Sequence, residues 1–192
     1  MKEKKEKKKY GLMVFIVFIM IGTTFSFVFF GFSPAEDKVR YNGITFTNIN
    51  RVWIAKINGQ EAAFSFLPAE VENVFAFDGF SKMLQDKYEI DATSDANSTF
   101  KESIALAQHQ MGLTLDAYNI YLRKGFTTNT TFNLPIIKCT NATLNVPVVY
   151  FRNGNSTNIH LENNCIIAEA STNADFIKAK DRVLYGILGV IK

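Results

Sequence analysis

Residues 51–66, RVWIAKINGQEAAFSF, alternate apolar and polar side chains on either side of Asn58-Gly59. Asn-Gly favours a two-residue type I′ turn, in which both central residues take positive φ, so the stretch predicts an antiparallel hairpin. The turn also sets the register. With two loop residues, Lys56 falls opposite Glu61 and Trp53 opposite Phe64, giving one charge pair and one aromatic pair. On the N-terminal side, residues 44–46 (ITF) are expected to add a third strand. On the other side, Pro68 has no N–H to give a ladder and ends the hairpin.

Further along, Thr99 and Glu102 stand at capping-box spacing. Ile104, Ala107, Met111, Leu115, Tyr118 and Leu122 then recur every three or four residues, which predicts a helix with a core-facing stripe and Gly125 as its stop. Strands are predicted at 136–139, 146–152, 158–162 and 165–169. A turn at Asn153-Gly154-Asn155-Ser156 would pair Tyr150 with Ile159 and Val148 with Leu161. Thr172 and Asp175 cap a last helix that presents Phe176, Ala179, Val183 and Ile187 on one side. Residues 86–97, DKYEIDATSDAN, are expected to form a mobile loop.

The N-terminal end differs in kind. Residues 11–32 hold no charge and seven of the eighteen phenylalanines. As a helix they would span about 33 Å, matching the hydrocarbon core of a bilayer at about 30 Å. Ser33-Pro34-Ala35 could serve a signal peptidase, but an uncharged run of this length exceeds the usual h-region, so an uncleaved anchor is expected. Residues 1–10 carry six lysines and two glutamates, +4 against a total of +3, so the remainder is −1. That asymmetry places the N-terminus in the cytoplasm and residues 33–192 outside. The expected organisation is a basic cytoplasmic tail (1–10), a transmembrane helix in contact with the lipid bilayer (11–32) and an extracytoplasmic domain (33–192). The fold class is α+β: the N-terminal transmembrane helix is followed by a mixed or antiparallel sheet covered by two helices. A near-neutral outer domain gives no reason to expect a nucleic-acid partner.

Cys139 and Cys165 are the two cysteines, and both fall on the outer side, where disulfides persist. A bridge between them is expected. Asn97, Asn129, Asn141 and Asn155 each open an N-x-[ST] frame without Pro and are candidate glycan acceptors.

Residues with catalytic potential are sparse. His109 is expected to face solvent from its helix, and His160, between Ile159 and Leu161, to point to the polar side of its strand. No G-x-S-x-G frame or phosphate-binding glycine loop is present. Asp86, Glu89, Asp91 and Asp95 cluster, but without the turn glycine and closing glutamate of a calcium loop. Cys139, His160 and Cys165 are too few and too widely spaced for zinc. No C-x-x-C activates the thiols, so the cysteines read as structural. The aromatics Trp53, Phe64, Phe66, Phe75, Phe77 and Phe80 are expected to pack in the core rather than line a groove. No catalytic, cofactor-binding or metal residues are assigned.

The segments YNGITFT, WIAKINGQEAAFSFLPAEVENV, NNCIIAEAS and DRVLYGILG resemble stretches of small membrane-anchored archaeal ectodomain proteins that carry no assigned activity. The resemblance covers residues 41–191 and implies an outward-facing domain with a bridged cysteine pair; it supplies no catalytic residues. The expected function is binding or structural at the cell surface, with an envelope protein, a polysaccharide or a peptide as partner. The alternative is an extracytoplasmic hydrolase whose acid and base meet only in the fold.

Overall fold

Three two-residue turns fold the first part of the chain into a meander. Asn42-Gly43, Asn50-Arg51 and Asn58-Gly59 all have positive φ, as a type I′ turn requires. They join β1 (Lys38–Tyr41), β2 (Ile44–Ile49), β3 (Val52–Ile57) and β4 (Gln60–Phe64) into an antiparallel sheet in sequence order. The register is the expected one, with Trp53 opposite Phe64 and Lys56 opposite Glu61. The computed structural model describes residues 11, 13–21 and 37–191. Residues 13–21 are helical (α1), while the tail at 1–10 and the rest of the expected span, residues 12 and 22–32, lie outside the described residues. Among the described residues no helix is long and apolar enough to cross a membrane. The domain that follows begins at Asp37.

Beyond β4, α2 (Pro68–Val71), β5 (Phe75–Ala76) and α3 (Phe80–Leu84) lead into a six-stranded mixed sheet. Its order is β5-β9-β10-β8-β6-β7, where β6 is Glu89–Ser94, β7 Tyr121–Phe126, β8 Val148–Asn153, β9 Asn158–Glu162 and β10 Cys165–Ala170. Two long helices, α4 (Lys101–Asp116) and α5 (Asn173–Ile187), complete the α+β fold. Both pack against strands of the larger sheet and against each other. Tyr185 of α5 also stacks on Phe64 of the smaller sheet at 4.2 Å and meets Phe46 edge-on at 6.1 Å. The helices therefore have sheet on both sides, and the core runs through all three layers. Thr172 caps α5 as expected, its hydroxyl accepting from the Asp175 N–H.

Several expectations need correction. Residues 86–97 contain β6, one of the most buried strands in the molecule, rather than a mobile loop. A parallel strand covered on both faces shows no period-two pattern, and here its inward polar groups are satisfied. Asp91 accepts from Arg123, and the Thr93 hydroxyl donates to the Ile137 carbonyl at 2.8 Å. The predicted helix through Leu122 stops at Asp116, and its N-cap is Phe100 rather than Thr99. Asn119 turns left-handed (φ 57°), with the Ile120 N–H on the Leu115 carbonyl and the Asn119 N–H on the Asp116 carbonyl. That Schellman-type stop frees residues 121–126 to form β7 parallel to β6. Gly125 is inside that strand. A Cβ there would come within 2.5 Å of the Pro135 carbonyl oxygen, so glycine lets residues 135–137 cross closely.

The expected strand at 136–139 is reduced to one bridge, Phe126–Ile136, followed by a 3-10 turn at Cys139–Asn141. The expected β8–β9 hairpin does not form. β10 lies between them, parallel to β8 with Ile167 opposite Tyr150, and antiparallel to β9 with Ala168 opposite Ile159. The cause is the left-handed pair Asn163-Asn164, which joins β9 tightly to β10. β10 is buried along nearly its whole length and takes an interior position. The disulfide between Cys139 and Cys165 is present, with Cα atoms 5.0 Å apart. It pins the β7–β8 connection over the sheet face away from the helices, where Ile137, Val148, Cys165 and Ile167 form a second small core.

Candidate functional site

Carboxylates and a histidine converge on the sheet face away from the helices. Arg152 of β8 donates through Nε and a terminal nitrogen to Glu169 Oε1 on β10, at 3.0 and 2.8 Å. Its other terminal nitrogen donates to Glu162 Oε2 on β9 at 2.9 Å. His160 is 3.4 Å from the Arg152 guanidinium, and its Nδ1 meets Asn158 Oδ1 at 2.7 Å. Burial pushes the Glu169 carboxyl up, but hydrogen bonds from Arg152 and Asn158, with the Arg152 charge, outweigh it and hold the group below its ordinary value. A carboxylate held ionised in this way has no proton to donate at neutral pH. The arrangement stitches β8, β9 and β10 together.

A second polar cluster lies inside α5, on a helix face whose spacing reads as apolar core. Lys180 and Asp181 are fully buried and paired with each other. Asp181 Oδ2 also accepts from the Ser65 and Phe66 N–H groups, each at 2.9 Å, and the Tyr185 hydroxyl donates to the Phe66 carbonyl at 2.7 Å. Burial pushes the Asp181 carboxyl up, and Lys180 opposes the rise. These groups fasten the exit of β4 to the central helix. They look inward, and their partners are structural.

The third feature is a groove of about 510 Å³ at the carboxyl ends of the parallel strands β6 and β7. Open parallel sheets commonly bind ligands at this end of the strands. The βαβ unit β6–α4–β7 builds it. Ser94 and Ala96 lie at the end of β6, Ala105 and Gln108 on α4, and Lys124 and Phe126 on β7. The connection after β7 adds Phe132 and Leu134, which are 68% and 43% exposed, and the Phe126 and Phe132 rings lie 5.7 Å apart. Lys101 and Glu102 stand at the start of α4. Gln108 is 6% exposed, and its amide nitrogen finds no hydrogen-bond partner among the described residues.

The residues singled out from sequence scatter around these features. His109 is exposed on α4, and His160 belongs to the Arg152 network. Asp86 is exposed in a turn, Asp91 is buried against Arg123, and Asp95 receives the Asn97 N–H. Among the described residues no three His, Cys, Asp or Glu side chains are grouped to hold a metal ion. Phe64 and Phe80 are core residues, and Trp53, Phe66 and Phe77 pack partly buried against the core. Phe75 is instead 65% exposed. Asn97, Asn129, Asn141 and Asn155 are all exposed. The groove was not anticipated. Its lining comes from four separate segments, and the available sequence signal was an apolar Phe132 and Leu134 in a stretch otherwise rich in Thr and Asn. No protein family, curated protein or solved structure matches this chain.

Proposed function

We propose that this chain is a single-pass membrane-anchored domain held outside the cytoplasm, and that it binds rather than catalyses. The anchor is residues 11–32, the cytoplasmic tail is residues 1–10, and the kinship with membrane-anchored archaeal ectodomain proteins belongs to the same reading. The Cys139–Cys165 bridge supports an oxidising compartment. Four exposed N-x-[ST] asparagines accord with a surface that a glycosylation system could modify.

The observation that carries the binding role is the groove at the ends of β6 and β7, with Phe132 and Leu134 left largely exposed beside it. Large apolar side chains clustered at a concave surface mark a place where something else is covered. The hydrolase reading draws less support, because Arg152 holds both convergent carboxylates, Glu162 and Glu169, in ion pairs. An envelope protein, a polysaccharide or a peptide would each be met by this surface, and the apolar lining ranks a polysaccharide last.

The test has two arms on the full chain in its native host. Protease added to intact cells should remove the domain and leave the anchor; protection of the whole chain would overturn the topology. A photo-crosslinking residue at position 132 should yield a discrete adduct, which the same residue at the exposed position 88, before the opposite end of β6, does not. Equal labelling at the two sites would remove the binding role.

A further inference from the structure

We propose that the β6–β7 groove is a site for a small amphiphile, an apolar chain ending in a carboxylate. The proposal rests on the groove being the binding surface and names what fills it. A volume of about 510 Å³ suits a small molecule, since such sites run to roughly 300–1,000 Å³. Ala105, Phe126, Phe132 and Leu134 supply an apolar wall for the chain. Polysaccharides need many polar partners spread along the site, and this wall has few.

Two observations select the head group. The first is Gln108. Its amide nitrogen is a buried donor with no partner, on a side chain that lines the groove. Buried donors in folded proteins are nearly always paired, so an oxygen acceptor is what this position lacks. The second is charge. Lys101 and Lys124 flank the groove, and neither forms an ion pair among the described residues, against a lone lining carboxylate, Glu102. An anionic oxygen satisfies both the amide and the cations. An ammonium head satisfies neither.

The probe is octanoate, titrated calorimetrically into the full-length chain in lipid nanodiscs, with empty nanodiscs as baseline. Octanol and octylamine serve as matched neutral and cationic chains. Octanoate should saturate one site. Octanol should bind about tenfold more weakly, for want of a charge-assisted hydrogen bond, and octylamine should show no saturable site. Gln108→Met should weaken octanoate by about tenfold. Ala105→Trp should abolish binding by filling the groove. Phe132→Asp, a change at an exposed position that cannot disturb the core, should abolish it by placing a carboxylate in the wall that holds the apolar chain.

Absence of a saturable octanoate site, equal affinity for octanol, or binding retained in both Ala105→Trp and Phe132→Asp would overturn the proposal. Dimerisation that Phe132→Asp suppresses, without an octanoate site, would also overturn it in favour of a second copy. The titration reads the groove whichever side of a membrane it occupies. Its failure alongside protease-accessible chain removes the ligand and leaves the anchored binding domain standing. Octanoate binding by a protease-protected chain does the reverse.

Discussion

Asp91 on β6 and Arg123 on β7 face each other across a parallel strand pair and share two hydrogen bonds of 2.7 Å. The carboxylate is fully buried while the guanidinium is 44% exposed, so the arginine brings solvated charge to a group that cannot reach water. Removing the fork strands a buried carboxylate. Arg123→Met should destabilise the domain by about 3 kcal/mol in urea unfolding. Arg123→Lys should recover less than half of that, because an ammonium cannot supply the parallel pair of donors. A loss below about 0.5 kcal/mol in the methionine variant would show that Asp91 finds other partners.

The Arg152 network predicts an acid-side loss of stability. Glu169 is held below its ordinary value of 4.5 in the folded state, so the unfolded chain takes up its proton first as the pH falls. Its stabilising contribution is therefore complete above about pH 4.5 and is lost as the pH drops through the folded value. Asp181, raised by burial, has the opposite sign. Comparing thermal unfolding of the parent with that of Glu169→Gln between about pH 3 and 6 separates them. The parent should lose stability more steeply on acidification. Parallel profiles would mean that the network does not govern the acid limb.

Lys180 and Asp181 should behave as a unit. Lys180→Met alone leaves the buried Asp181 without its counter-charge and should cost about 3–5 kcal/mol. Lys180→Met with Asp181→Asn should recover most of that loss, because the amide oxygen still receives the Ser65 and Phe66 N–H groups. A double-mutant cycle in urea measures the coupling. Additive effects would show that the pair is not energetically joined.

Gln108→Met should leave the ligand-free domain as stable as the parent, or more stable by up to about 1 kcal/mol, because the swap removes an unpaired buried donor at similar volume. Thermal unfolding checks this. A clear loss of stability would show that the amide is paired through water and is no vacancy for a ligand.

Where sequence reading succeeded, the local chemistry was self-sufficient. Asn58-Gly59 fixes a turn and thereby a register, and Thr172 with Asp175 fixes a helix start, without help from distant residues. Asn42-Gly43 repeats the first signal sixteen residues earlier, so β1 is legible in the same way, while Asn50-Arg51 makes the same left-handed turn without a glycine to announce it. β6 was not legible, because its polar residues are excused by Arg123 and by the Ile137 carbonyl, both remote in sequence. The strand β7 was hidden by an apolar pattern that fits a helix equally well until Asn119 breaks it. The groove draws on strand ends, a helix face and a loop at once, and no window of sequence contains it.

The insertion of β10 between β8 and β9 bears on how the chain reaches this arrangement. During synthesis, residues 148–162 emerge ahead of residues 165–170, and for that interval β8 and β9 have each other as neighbours in sequence. Any ladder they form then must open to admit β10, because the native order leaves them no shared hydrogen bonds. Cys165 arrives as the first residue of the inserted strand. Its bond to Cys139 therefore acts as a latch: once closed, it ties the start of the inserted strand to the chain just before β8 and favours the native order over a direct β8–β9 ladder.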